Sequence, residues 1–294
     1  MKKKIIITGI SGFICSHLAE HLRRKYKIIG IDREAPGIIH QDIEFFGQDI
    51  NEPLPDIDNV YAVIHLAAKA GVRESQEKFG QYVKDNILGT KSILDKCVNN
   101  WKPEKILIAS SSSIYGERHN NEYYPKSLYA MSKVATEMIA ESYRNSKLLP
   151  DTQICCMRIF TVYGPRQRNG LAIGNFINNI LQDKPITVYG DGTQKRDFTY
   201  IDDLCKAIDC LLYDDRIPYT TDIGSGNTVS LNYVIYRISK LLNKEVTIRY
   251  EDWDTQDVYE TKSNSNKWFP DNPTPLVEGL KKQIEWTRRK LDKK

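Results

Sequence analysis

The chain has 294 residues, 40% of them hydrophobic and 27% charged, which are values of a folded globular protein. They exclude disordered, collagen-like and membrane-embedded classes. The balance of 42 Lys+Arg against 38 Asp+Glu leaves a net charge of only +4, and no basic stripe points to nucleic acid. No apolar run approaches the ~18 residues of a membrane span. Met1-Lys2-Lys3-Lys4 runs into an apolar stretch too short for a secretion signal. We therefore expect a cytoplasmic protein with neither nucleic acid nor membrane as partner. Cys15, Cys97, Cys155, Cys156, Cys205 and Cys210 form no C-x-x-C pair, and we read them as reduced core thiols.

In chain order, Ile5–Thr8 reads as a strand and Gly12–Lys25 as a helix. Further strands fall at Lys27–Ile31, Glu44–Gly47 and Val60–Leu66. Apolar residues at helical spacing, Phe79, Tyr82, Val83, Ile87, Ile93 and Leu94, predict a helix over Lys78–Asn99. Lys105–Ala109 is a strand, Ser127–Tyr143 a helix and Gln153–Phe160 a strand. Strands alternating with helices predict βαβ units and a doubly wound parallel α/β sheet. Strands buried on both faces should be continuous apolar runs, as Ile5-Ile6-Ile7 and Ile154-Cys155-Cys156-Met157 are. After about residue 165, Gly, Asn, Asp and Tyr become frequent and short strands (Ile186–Tyr189, Val246–Arg249) sit between helices. We expect residues 1–165 to form a dinucleotide-binding domain, with later returns near 195–215. Residues 166–294 should be mainly a substrate-binding lobe, closing on a helix over Leu276–Leu291.

Gly9-Ile10-Ser11-Gly12-Phe13-Ile14-Cys15 follows the first strand and opens the first helix. Glycines there permit a tight turn and bring backbone N–H groups to a pyrophosphate at a helix N-terminus. Asp32 closes the second strand, twenty residues past Gly12, where a carboxylate accepts the ribose hydroxyls of NAD and repels the extra phosphate of NADP. Arg33 follows it and could soften that preference. Cys15 stands where a third glycine is usual, so helix and sheet should sit slightly further apart.

Tyr129 and Lys133 lie four apart on one helical face. An ammonium beside a phenol lowers the phenol's pKa and makes a general base able to deprotonate a sugar hydroxyl. This pair follows a strand ending in Ser110-Ser111-Ser112-Ser113, at the carboxyl edge of the sheet where doubly wound folds bind ligands.

With these motifs the sequence resembles the extended short-chain dehydrogenase/reductases that act on nucleotide sugars. The resemblance runs from Thr8-Gly9 through His65-Leu66-Ala67-Ala68, Ser110–Gly116, Tyr129–Lys133, Arg158–Arg168 and Arg196–Asp203 to Glu278-Gly279-Leu280. Within that family it is most similar to UDP-glucuronate 4-epimerases. The resemblance implies Ser111, Tyr129 and Lys133 as catalytic residues and NAD as cofactor. It places Gly9, Ser11, Gly12, Phe13, Ile14, Asp32, Arg33, Asp49, Ile50, Leu66, Ala67, Ala68, Lys69 and Asn86 around NAD. It places Asn175, Val188 and Arg196 on the nucleotide, Ser112 and Arg73 near the sugar, and Thr161 and Arg168 on a glucuronosyl carboxylate. It also implies a homodimer.

The resemblance to retaining 4,6-dehydratases is weaker. These carry Asp-Glu where this chain has Ser112-Ser113, and serines neither expel a hydroxyl nor abstract a C5 proton well. An atypical UDP-sugar 4,6-dehydratase, acting for example on UDP-N-acetylglucosamine with or without C5 inversion, would have to recruit other groups, for which Lys69, Glu117 and His119 are candidates. His17-Leu18-Ala19-Glu20-His21 matches a zinc-protease pattern. It lies on the helix beneath the dinucleotide with no other ligand placed to complete a site, so we expect no metal. The leading expectation is an NAD-dependent UDP-sugar 4-epimerase. The alternatives are the dehydratase and a non-catalytic NAD-binding regulator.

Overall fold

The computed structural model describes residues 2–37, 40–117, 122–168, 170–264 and 267–292. Its strands are β1 (Lys4–Thr8), β2 (Lys27–Asp32), β3 (Glu44–Gly47), β4 (Val60–His65), β5 (Lys105–Ser111), β6 (Gln153–Ile159), β7 (Thr161–Tyr163), β8 (Ile186–Tyr189), β9 (Lys195–Tyr200), β10 (Thr220–Ile223), β11 (Thr228–Ser230) and β12 (Ile248–Glu251). Its helices are α1 (Phe13–Leu22), α2 (Glu74–Glu77), α3 (Phe79–Tyr82), α4 (Gly89–Lys96), α5 (Leu128–Asn145), α6 (Ala172–Leu181), α7 (Ile201–Tyr213), α8 (Leu231–Leu242) and α9 (Leu276–Leu291).

Seven strands form one parallel sheet in the order β10-β6-β5-β4-β1-β2-β3. Successive side chains of a strand point to opposite faces, and here both faces are buried. Ile5, Ile7, Ile28, Ile64, Leu107 and Met157 enter one core, shared with Leu18 and Leu22 of α1 and Leu204 and Ile208 of α7. Ile6, Ile29, Val63, Ile106, Ile108 and Cys156 enter the other, shared with Ile93 and Leu94 of α4 and Ala140 of α5. Five cysteines are buried free thiols, but Cys210 is exposed, which corrects the expectation that all six lie in the core.

The chain returns to the large sheet through α7 and β10, which together span 201–223, later than the sequence pattern suggested. Residues 195–200 pair instead with β7 and β11 in a separate three-stranded sheet. With the β8–β12 pair and the mutually packed α6, α8 and α9, that sheet makes the smaller lobe.

The helix expected over 78–99 is not uniform. A π-helical turn at Val83–Leu88 separates α3 from α4, and a second at Cys97–Trp101 follows α4. Such insertions favour functional sites. The first one carries Asn86, whose carbonyl accepts the hydroxyls of Thr90 (2.6 Å) and Thr136 (3.3 Å).

Candidate active site

Strand order reverses between β1 and β4, and a crevice opens at the carboxyl ends of those strands. Gly9 follows β1 with φ +76°, and its N–H reaches Ile31 O at 2.8 Å. A Cβ on Gly9 would sit 2.9 Å from the backbone of Ala67, so only glycine lets the turn after β1 pass the loop after β4. Gly12 precedes α1 in extended conformation, with no side-chain cap and no acidic residue in the first turn. The leading N–H groups of α1 are thereby left for an anionic ligand. Cys15, in the third glycine's place, is buried beside them with its thiol 3.5 Å from Thr8 O, and burial raises its pKa well above the usual thiol range.

Beside this turn lies a cavity of about 170 Å³. Asp32, Asp49 and Ile50 line one side, and Leu66, Ala67 and Ala68 the other. Asp32 accepts the N–H groups of Ser11 and Glu34, each at 3.0 Å, which aims its carboxylate across the cavity mouth. Arg33 turns to Asp85 (3.2 Å) and, more distantly, Asp49 (3.9 Å); Asp85 chiefly raises its pKa. With Arg33 already engaged by carboxylates, NADP should bind at least ~10-fold more weakly than NAD, about 1.4 kcal/mol. Equal dissociation constants for the two would show that Asp32 does not set the preference.

A buried relay fixes the loop that carries Ala67 to Lys69. The N–H of Ala67 donates to Thr8 Oγ1 (3.2 Å), which lies 2.7 Å from His65 Nδ1. His65 Nε2 lies 3.2 Å from Thr90 Oγ1, which donates to Asn86 O. The donors run in one direction only if Nδ1 accepts and Nε2 carries the proton. His65 is thus a neutral imidazole, and burial pushes its pKa down to about 3. The Asn86 amide then holds Lys69 by its N–H (2.7 Å) and carbonyl (3.0 Å), and donates to Ser132 Oγ (2.9 Å). Ser132 donates to Tyr129 O, so the loop after β4 and helix α5 share one scaffold.

Ser127 caps α5 by accepting the Ala130 N–H at 3.1 Å, which sets where the helix begins and so where Tyr129 points. Tyr129, Lys133, Ser111 and Ser112 line a larger cleft of about 450 Å³, as do Phe13 and Ile14 from α1. Ser111 Oγ accepts from the N–H (3.2 Å) and hydroxyl (2.9 Å) of Ser113, so its own proton is free to point at Tyr129 or a ligand oxygen. Burial raises the Tyr129 phenol, against the lowering effects of its hydrogen bond to Ser111 and the charge of Arg168. The sequence pointed to Lys133 as the opposing charge. In the structure Lys133 donates to Ala109 O at 2.8 Å, and burial brings its own pKa down to about 8.

Thr161, Arg168 and Arg196 line the same cleft. Arg168 donates to Ala70 O at 2.9 Å. Arg196 is held by Asp257 (2.6 Å) and donates to Tyr259 O (3.2 Å). Arg73, Asn175 and Val188 are not among the residues lining this cleft. Arg73 is bonded to Asp254 at 2.8 Å and stacked on Tyr189 at 3.4 Å; Asn175 is exposed, its amide oxygen on the Gly170 N–H; Val188 is buried within β8. Gln256 and Asp257 also line the cleft, as do Lys126 and Thr261, which the sequence did not single out. For Lys126 the available signal was a lysine directly before the cap of the catalytic helix.

Of the groups a dehydratase would recruit, Lys69 and Glu117 are paired in the free enzyme. Lys69 pairs with Glu74 at 3.2 Å and Glu117 with Lys126 at 3.1 Å, while His119 lies outside the described residues. In the His-x-x-Glu-His pattern His17 and Glu20 both meet Arg166, His17 at 3.1 Å, and only His21 turns elsewhere. His17 bonds Pro165 O (2.8 Å), Glu20 bonds Arg166 (2.9 Å) and His21 bonds Asp209 (3.0 Å).

Residues 5–224 match the family model described as the NAD dependent epimerase/dehydratase family. The chain belongs to that family. This epimerase/dehydratase family member is 32% identical to the UDP-glucuronate 4-epimerase of Thermodesulfobacterium geofontis, over 98% of this chain and 97% of that one. Among solved structures, MoeE5 in complex with UDP-glucose and NAD aligns with a TM-score of 0.90 at 32% identity, covering 98% of this chain and 99% of that one. The UDP-glucuronic acid 4-epimerase of Bacillus cereus, in complex with UDP-glucuronic acid and NAD, aligns at 0.89 with 31% identity, covering 97% and 99%.

Proposed function

We propose that this family member is a UDP-sugar 4-epimerase working through a transient 4-keto sugar, with UDP-glucuronate as its preferred substrate. The observation that carries the reading is the convergence of Ser111, Tyr129, Thr161 and Arg168 on one cleft that opens beside the dinucleotide turn. Gly9, which excludes any Cβ, and the uncapped start of α1 fit NAD. Bound NAD supplies the acceptor and later the donor of a hydride. Tyr129 takes the proton of the sugar's 4-hydroxyl, and Ser111, its oxygen already accepting two bonds from Ser113, donates to O4. Tyr129 returns the proton once the sugar has presented its other face. Ser112 and Ser113 form a passive wall where a dehydratase needs an acid and a base. No described helix is long and apolar enough to cross a membrane. Within this reading the enzyme works in the cytoplasm as a homodimer.

The test is incubation of the NAD-loaded enzyme with UDP-glucuronate, UDP-glucose and UDP-N-acetylglucosamine in deuterated water, followed by NMR. The product should differ from substrate only at C4, with no deuterium at C5. UDP-glucuronate should be favoured about ten- to a hundredfold, the worth of a charge-assisted contact of ~1.5–3 kcal/mol. A 6-deoxy-4-keto product would replace the epimerase by the dehydratase. Preference for a neutral UDP-sugar would remove the uronate reading alone.

A further inference from the structure

Besides buried Lys133, three cations line the larger cleft: Lys126, Arg168 and Arg196. Arg168 sits at the Tyr129 end, where its charge acts on the phenol. Lys126 sits elsewhere. Its Nζ donates to Asp257 O at 2.8 Å, and Asp257 is the residue whose carboxylate holds Arg196 at 2.6 Å. Lys126 precedes α5 of the large domain and Arg196 lies on β9 of the smaller lobe, so cations from two lobes meet around one residue. Two acids neutralise them: Asp257 on Arg196, and Glu117 on Lys126 at 3.1 Å.

A second observation points to a ligand at the same place. Gln256 Oε1 and Thr261 Oγ1 are buried polar atoms with no hydrogen-bond partner, and both residues line this cleft. Thr261 is only 8% exposed. The unpaired Thr261 hydroxyl can donate to a phosphate oxygen and the Gln256 amide oxygen can accept a ligand hydroxyl, so a nucleotide bearing both groups would satisfy two buried atoms that are costly to leave unpaired.

We propose that Lys126 is a substrate-binding residue that, with Arg196, clamps the diphosphate of the sugar nucleotide. The proposal rests on the nucleotide-sugar reading above. In the free enzyme Glu117 holds the Lys126 ammonium in place, and the diphosphate displaces it. Glu117 is itself fixed, both oxygens lying 3.1 Å from the Tyr259 N–H, so the ammonium is presented from a set position.

Calorimetry on the NAD-loaded enzyme with UDP, UMP and uridine tests this. Lys126→Gln should weaken UDP about tenfold or more, UMP less, and leave uridine unchanged, because only the charge on the ligand is read. Lys126→Arg should retain most of the UDP affinity. Glu117→Gln should tighten UDP a few-fold, a change that a merely disturbed fold does not produce. Unchanged UDP binding in Lys126→Gln overturns the proposal, and so does an equal loss for uridine, which marks simple packing. Loss for UDP-glucuronate with UDP unaffected also overturns it, by moving Lys126 to the sugar. If the wild type fails to bind UDP at all, the nucleotide-sugar reading falls, and this proposal with it.

Discussion

Tyr129→Phe should lower turnover of the NAD-loaded enzyme by ~10²–10⁴ while leaving KM for the UDP-sugar within a few-fold. The substitution removes one oxygen and keeps the ring. That ring packs edge-on against Tyr82 at 6.2 Å, so the helix that carries Lys133 has no cause to move. The wild-type rate should also rise with pH, because a general base acts only once deprotonated. Burial pushes that limb up, and the Ser111 hydrogen bond and Arg168 charge pull it down. Tyr129→Phe should lose the limb along with the rate. Activity within a few-fold of wild type, or a retained limb, would assign the base to another group.

The parallel sheet was legible because both its faces are buried. Ile5-Ile6-Ile7 feeds Ile5 and Ile7 to one core and Ile6 to the other, and no amphipathic element does that. Gly9 and Asp32 were legible for a related reason. A turn at a strand end and a carboxylate at the end of the next strand are local features, and the sheet register carries them to one place. Side-chain pairing over long separations leaves no such trace. Asp254 captures Arg73 across 181 residues, a pairing that no local pattern announces. Val188 shares the buried side of β8 with Ile186, and strand period alone does not say which side faces a ligand. The direction in which burial shifts the phenol was not legible, because desolvation depends on packing around the whole site. Lys133 four residues away says little about it.

Arg158→Met should destabilise the fold by about 3–5 kcal/mol, lowering Tm by ~5–8 °C for a chain of this length. Glu137 is wholly buried on α5, one helical turn past Lys133, and Arg158 is 7% exposed on β6. The guanidinium meets both carboxylate oxygens (3.1 and 2.9 Å) and accepts no substitute from solvent. It also donates to the Tyr115 hydroxyl at 2.9 Å, which donates in turn to Asp222 at 2.6 Å. Methionine fills similar volume but leaves the Glu137 carboxylate buried with only the hydroxyls of Ser110 and Tyr123. The cost is that of a stranded charge, not the worth of the pair. Adding Glu137→Gln to Arg158→Met should therefore recover much of the loss, since a neutral amide is far cheaper to bury than an unpaired carboxylate. The network reaches the active site through Ser110, next to Ser111, and through α5 itself. The single variant should accordingly lose activity even below its melting range, and the double variant should regain part of it. A Tm within about 2 °C of wild type for Arg158→Met, or no recovery in the double variant, would show that this cluster is not what anchors α5 beneath Ser111.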